Sequence, residues 1–301
     1  MVSLVNTVRD IDRLRQILIV LGRHGFGDIA ERTGLARLVR RPGDESIDLS
    51  AKPERSIGER LRRVFEDLGP SFVKLGQILS TRSDLLPEHV VSELARLQDD
   101  EAPVSFELQR PEIEAALGAP LDEQFDHFGE TPLASASIAQ VHRARLRVDG
   151  ETREVVVKVQ RPKIRATIER DIELLYLLAK AIERSMEEAR IYSPSGLVAE
   201  FDRAMTTELD FGREADHIDR LQRAFDTNPQ ARFPEVYKEA SGRRVLTMEY
   251  LAGHKLDDAL AAGFSGPALA RTTLNILFQQ IFEDGFFHGD QHPGNLILMG
   301  E

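Results

Sequence analysis

Apolar positions first recur at helical spacing. Val5, Val8, Ile11, Leu14 and Leu18 mark one face of an N-terminal amphipathic helix, interrupted by charged residues on the other. The run Arg40-Arg41-Pro42-Gly43-Asp44 breaks the pattern, and a polar linker is expected to about Arg55. Helices are then expected over residues 56–68, 70–82, 87–97 and 111–117, with Gly and Pro between them as stops and starts. Near Phe125 the period changes to two. Residues 138–148 and 154–160 read as strands, and Asp149-Gly150 between them is a strong hairpin signal. Long helical patterns follow over 162–190 and 194–225. A strand is expected over 244–250 and a helix over 267–284 that ends at Gly285. Leu296-Ile297-Leu298-Met299 reads as a short buried strand.

Composition narrows the class. The chain has 301 residues, enough for one large or two smaller cores. Its net charge of -11 disfavours general nucleic-acid binding. The absence of cysteine excludes disulfides, thiol catalysis and cysteine-ligated zinc, and fits a reducing compartment. No apolar run approaches the roughly 18 residues that cross a bilayer. The N-terminus lacks the basic start of a signal peptide. The expected location is cytoplasmic, with the N-terminal helices docked on the protein's own core or touching a membrane surface.

Chemistry concentrates in a few segments. His288-Gly289-Asp290-Gln291-His292-Pro293-Gly294-Asn295 has the H-x-D-x-x-x-x-N spacing of a phosphoryl-transfer catalytic loop. Pro293 and Gly294 keep it off a helix, so Asp290 and Asn295 sit on a loop. The plain alternative is a pair of turn-capping residues. A metal pair from His288 and His292 needs a helix that Gly289 and Pro293 oppose. Lys158, among the valines of Val155-Val156-Val157-Lys158-Val159, suits a phosphate-contacting strand lysine, or simply one exposed lysine on a strand. Upstream, Ala134, Ser135, Ala136 and Ser137 occupy the place of a phosphate loop, with alanine and serine instead of glycine. Glu208, Asp210 and Glu214 lie on an expected helical stretch, where Asp210 and Glu214 share a face. The sharper reading pairs Glu214 with Lys158, 56 positions away. The strand ending at Glu249-Tyr250-Leu251, before Ala252-Gly253, suits an interlobe hinge. There the Glu249 carbonyl and the Leu251 N–H would meet an adenine edge. These segments stand in the order of an α+β, protein-kinase-like bilobal fold.

In that order, Phe72-Val73-Lys74-Leu75-Gly76-Gln77, ASIAQVH, VVVKVQRP, ELDFGREA, LTMEYL and HGDQHPGN resemble the UbiB-like atypical kinases of ubiquinone biosynthesis. The resemblance implies a helical N-terminal extension over residues 1–120 that carries the K-x-G-Q motif. It implies a kinase-like N-lobe with inserted helices over 121–250, and a partial C-lobe with the catalytic loop over 251–301. Its implied cofactors are ATP and Mg²⁺. Asp290 would be the catalytic-loop acid, Asn295 a Mg²⁺ ligand, and Lys158 a phosphate contact paired with Glu214. Ala134 to Ser137 would cover the nucleotide. Lys74 would pair with Glu208, Asp210 would complete that acidic motif, and Lys74 and Gln77 would lie over the pocket. Residues 296–301 contain no aspartate for a D-F-G-type motif, so the C-lobe is expected to be incomplete. The implied function is a kinase or ATPase supporting quinone synthesis or lipid homeostasis, with lipid or quinone-pathway proteins as partners. The alternatives are a nucleotide-binding scaffold with little turnover and a small-molecule phosphotransferase.

Overall fold

The computed structural model describes residues 8–39, 55–98, 101–289 and 293–299. Most of the linker expected after Arg40 lies outside these residues, as do Val5 and Asp290. In chain order the first helices are α1 (Val8–Arg23), α2 (Gly27–Arg32), α3 (Ala36–Val39), α4 (Ile57–Leu68), α5 (Pro70–Ser80), α6 (Glu88–Leu94), α7 (Phe106–Leu117) and α8 (Leu121–Gln124). Strands β1 (Phe125–Phe128), β2 (Ala134–Ser135), β3 (Ala139–Val148) and β4 (Glu151–Gln160) follow. Then come α9 (Ile164–Ser185), α10 (Pro194–Glu208), α11 (Phe211–Ala224), β5 (Val245–Glu249), α12 (Leu256–Ala261) and α13 (Gly266–Phe278). The chain forms two compact units.

The first unit comprises Met1–Ala102, Ser135–Ile138 and Arg161–Leu209, and its described helices bury their apolar faces together. Leu14, Ile17 and Leu18 of α1 are at most 1% exposed, so the second half of the N-terminal apolar stripe is buried, while Ile11 in its first half stays 39% exposed. Ser56 caps α4 by accepting from the Glu59 N–H at 3.2 Å. Gly69, at φ +89°, ends α4, and Pro70 opens α5 at once. Phe65 and Leu68 of α4, Phe72 of α5, Ile168 and Leu174 of α9, and Phe201 and Met205 of α10 are buried in the same unit. Among the described residues no helix is long and apolar enough to cross a membrane.

The second unit comprises Pro103–Ala134, Ala139–Gln160 and Asp210–Glu301. Its antiparallel sheet runs β1-β3-β4-β5. Asp149 and Gly150 both take positive φ, +50° and +84°, which gives the hairpin turn that pairs Val148 with Glu151. Val155, Val157 and Val159 are at most 1% exposed and pack with Ile113, Leu121, Phe125, Leu146 and Val245. Each such side chain contributes about 1.5–3 kcal/mol of burial. Because β-strand side chains alternate, this places Lys158 on the opposite face.

Several expected boundaries move. The helix predicted over 194–225 is two helices, because Asp210 leaves helical backbone (φ -120°, ψ 91°) and caps α11 by accepting from the Gly212 N–H at 3.1 Å. Asp210 and Glu214 therefore do not share a helix face as expected. Helix α7 begins at Phe106, five residues before the proline predicted to open it. The strand β4 begins at Glu151, so the hairpin is longer than the apolar run suggested. Leu296 to Met299 is not a buried strand. Its described strand-like pairing is one bridge in which Leu298 exchanges two 2.9 Å backbone hydrogen bonds with His254. Ile297 and Met299 stay 38% and 48% exposed, since an apolar run is buried only where a second layer covers it.

Candidate functional site

In the second unit, the alternation of β4 aims Lys158 at the first turn of α11. Its Nζ lies 2.8 and 2.7 Å from the two carboxylate oxygens of Glu214. The ring of Phe211, wholly buried at the start of α11, lies 4.8 Å from the same ammonium. Lys158 is bracketed by Val141 on β3 and Leu246 on β5, which fix its stem. A lysine ammonium has three donors and Glu214 engages two, so one remains for a further acceptor. Glu214 at the start of a helix is also favoured by the positive end of the helix dipole.

The capping of α11 decides this arrangement. Asp210 starts the helix just ahead of the turn that carries Glu214, and its other carboxylate oxygen lies 3.3 Å from Arg243 Nε. Asp210 thus acts on Glu214 by setting where the helix begins. Beyond β5, Gly253 has space for no side chain: a Cβ there would stand 2.4 Å from the Leu298 carbonyl oxygen. That close approach permits the bridge between His254 and Leu298. The Glu249 side chain is engaged by Arg232 and by the Glu235 N–H, and the Tyr250 N–H donates to the Glu154 carbonyl at 3.1 Å, fixing the strand end that precedes Leu251. Asn295 closes a single helical turn, Pro293–Asn295. Its expected partner Asp290 lies outside the described residues, so their mutual geometry does too.

Still in the second unit, a buried polar chain runs from β3. Gln140 Oε1 accepts from the Val104 N–H at 3.0 Å, and its amide nitrogen lies 2.8 Å from His142 Nε2. The His142 Nδ1 lies 2.7 Å from the Gly129 carbonyl. A carbonyl only accepts, so Nδ1 carries the proton and Nε2 accepts from Gln140. Burial lowers the His142 pKa, against the smaller opposing pull of the Gly129 carbonyl. These motif residues pin β3 to its flanking segments.

In the first unit, Lys74 Nζ on α5 lies 2.8 Å from Glu208 Oε1 at the end of α10. Gln77, one turn further along α5, donates to the Leu97 carbonyl at 3.4 Å. Gly76 between them is there for space. A Cβ would stand 2.2 Å from Leu97 Cδ1 and 2.6 Å from Phe65 Cδ2. Overpacking of this kind costs about 1–3 kcal/mol, and alanine returns roughly 1 kcal/mol of helix propensity. Two contacts below 3.0 Å put the cost in the upper part of that range, about 2–3 kcal/mol, so Gly76→Ala is expected to lower unfolding stability by about 1–2 kcal/mol net, read as a lower urea midpoint at unchanged slope. A midpoint at or above wild type would rule out the close contact.

The same unit holds residues 135–138 of the alanine- and serine-rich segment. Ser137 is 1% exposed and its hydroxyl has no hydrogen-bond partner among the described protein atoms. Ser135 and Ala136 are half-buried. Ala134 belongs to the second unit and is exposed.

Residues 96–301 match the ABC1 atypical kinase-like domain. The chain belongs to the ABC1 atypical kinase-like family. The kinase-like, mixed helix and antiparallel sheet fold expected from the sequence is the fold of this family. Similar proteins include the probable protein kinase UbiB of Photobacterium profundum, 39% identical over 98% of this chain and 54% of that protein. Another is the probable protein kinase UbiB of Vibrio parahaemolyticus serotype O3:K6, 42% identical over 83% of this chain and 46% of that protein. The chain spans about half the length of the curated relatives it matches. Among solved structures, the complex of Rv3197 with erythromycin from Mycobacterium tuberculosis aligns with a TM-score of 0.49 and 28% identity, over 78% of this chain and 59% of that one. Within this ABC1 chain the structure brings together Lys158 with Glu214 and Lys74 with Glu208. It places Asp210 off the helices, as the cap of α11. Phe211, beneath the Lys158 ammonium, had no signal in the sequence beyond its place next to Asp210.

Proposed function

We propose that this chain is the nucleotide-binding part of a UbiB-type atypical kinase or ATPase that uses Mg²⁺-ATP and supports isoprenoid quinone biosynthesis or lipid homeostasis. The Lys158–Glu214 pair carries this reading. A strand lysine held by a helix glutamate, with one donor left over, suits a phosphate oxygen better than a purely structural ion pair does. The buried Ser137 hydroxyl, without a partner among the described protein atoms, supports a ligand over the 134–137 segment.

In this reading Lys158 binds phosphate and Glu214 orients it. Ala134, Ser135, Ala136 and Ser137 offer backbone N–H groups to the phosphates, and the Glu249 carbonyl and Leu251 N–H meet adenine. Asp290 orients the attacking hydroxyl or water. Asn295 supplies an oxygen donor of the kind Mg²⁺ prefers. Bound Mg²⁺ neutralises charge on the phosphate oxygens. Lys74, Gln77, Glu208 and Asp210 form the family-specific regulatory set. Partners are lipid or quinone-pathway proteins at a membrane surface.

Thermal unfolding with ATP, with and without Mg²⁺, tests the reading. At ligand tenfold above Kd, binding adds about 1.4 kcal/mol, or a rise of roughly 2–6 °C for a chain of this size. Absence of any Mg²⁺-dependent rise sinks the nucleotide assignment. A rise without ATP hydrolysis favours the nucleotide-binding scaffold over the enzyme.

A further inference from the structure

Arg161 stands three residues beyond Lys158, at the end of β4, in the segment Val159-Gln160-Arg161-Pro162. Within the first unit its side chain closes around the 135–138 segment. Its Nε donates to the Ala136 carbonyl at 2.7 Å. One terminal nitrogen donates to the Ser135 hydroxyl at 2.7 Å and to the Ala102 carbonyl at 2.9 Å. Its backbone N–H donates to the Ile138 carbonyl at 2.9 Å.

This pattern answers a physical problem. A glycine-rich phosphate loop gains its shape from positive φ, which glycine adopts freely. Residues 134–137 contain no glycine, and none of them takes positive φ. Their shape must be imposed from outside, and their carbonyls need donors. A guanidinium is a rigid planar fork that can engage several acceptors at fixed angles, which a lysine ammonium does not reproduce. We infer that Arg161 is a positioning residue that holds the alanine- and serine-rich segment in its nucleotide-ready shape. In this role the arginine acts through the segment it holds. Its consequence for binding rests on the proposed nucleotide reading, whereas its hold on the segment does not.

The inference is tested by hydrogen exchange of peptides covering residues 133–141 in the nucleotide-free full chain, paired with titration of Mg²⁺-ATP. For Arg161→Ala, exchange in that peptide is expected to rise about tenfold while peptides from α1 and α4 keep their wild-type rates, and ATP affinity is expected to fall about tenfold. Arg161→Lys keeps the charge and is expected to lose nearly as much, because the fork is gone. Ser135→Ala removes one acceptor only and is expected to raise exchange by about twofold; it serves also if the arginine variants fail to fold. Unchanged exchange in Arg161→Ala or Ser135→Ala overturns the positioning role, as does wild-type behaviour of Arg161→Lys. Raised exchange with undiminished ATP affinity confines Arg161 to a structural role and overturns the inference for binding. If the wild-type chain binds no ATP, the nucleotide reading fails on its own, and the exchange data still decide whether Arg161 shapes the segment.

Discussion

Replacing Lys158 with alanine is expected to weaken Mg²⁺-ATP binding up to about a hundredfold, roughly 2.8 kcal/mol, while the nucleotide-free protein melts within a few degrees of wild type. The two halves of this expectation have separate causes. Lys158 and Glu214 are 25% and 37% exposed, so their ion pair is solvent-screened and contributes at most about 1 kcal/mol to folding. Truncating the lysine also leaves Glu214 near enough to water to stay solvated. Against a phosphate the balance differs. Both partners are then ionised and the ligand covers them, and charge-assisted hydrogen bonds are worth about 1.5–3 kcal/mol each. Glu214→Gln should cost less, about tenfold, because the ammonium survives but loses its tether. Calorimetric titration of the three proteins gives the order wild type, Glu214→Gln, Lys158→Ala. If Lys158→Ala binds within about threefold of wild type, less than one such hydrogen bond is worth, the pair is structural and the site lies elsewhere.

The parts of this site that were legible in the sequence are those set by local rules. Asp149-Gly150 announced the hairpin because a tight turn with two positive φ values matches the twist of the strands it joins. The valines at 155, 157 and 159 fixed the buried face of β4, and the period of two then fixed the face that carries Lys158. The break between α10 and α11 was missed because the apolar spacing continues through it. Phe211 and Ala215 are buried, as Phe201 and Met205 are, and only the cap at Asp210 marks the new start. That signal was present as an aspartate before a glycine-containing turn, but helix periodicity outweighed it. The role of Arg161 in the VVVKVQRP segment is not legible in the sequence, because two of its acceptors are backbone oxygens whose positions no side-chain pattern encodes.

Long-range charge pairing was the least legible. Arg13 and Asp171 stand 158 positions apart and nothing local links them, yet Asp171 is 1% exposed. Arg13 Nε and one terminal nitrogen donate to its two oxygens at 2.8 and 2.9 Å. That terminal nitrogen also donates to the Leu68 carbonyl at the end of α4, at 2.8 Å, and the guanidinium lies 5.7 Å from the Phe72 ring centre on α5. One arginine therefore joins α1, α4, α5 and α9 within the first unit. Asp171→Ala is expected to cost about 3 kcal/mol of unfolding free energy, at the low end of what breaking a buried pair costs. The low end applies because Arg13 is 16% exposed and keeps the Leu68 carbonyl and Gln16 as acceptors. Arg13→Met combined with Asp171→Leu should recover most of the loss, since replacing both charges by apolar side chains leaves no uncompensated cation. Urea unfolding of wild type, Arg13→Met, Asp171→Leu and the double variant forms a double-mutant cycle, and the coupling between the two positions is expected to be at least about 1.5 kcal/mol. A coupling near zero would mean that α1 is held by Leu14, Ile17 and Leu18 alone, with the ion pair a passenger on their packing.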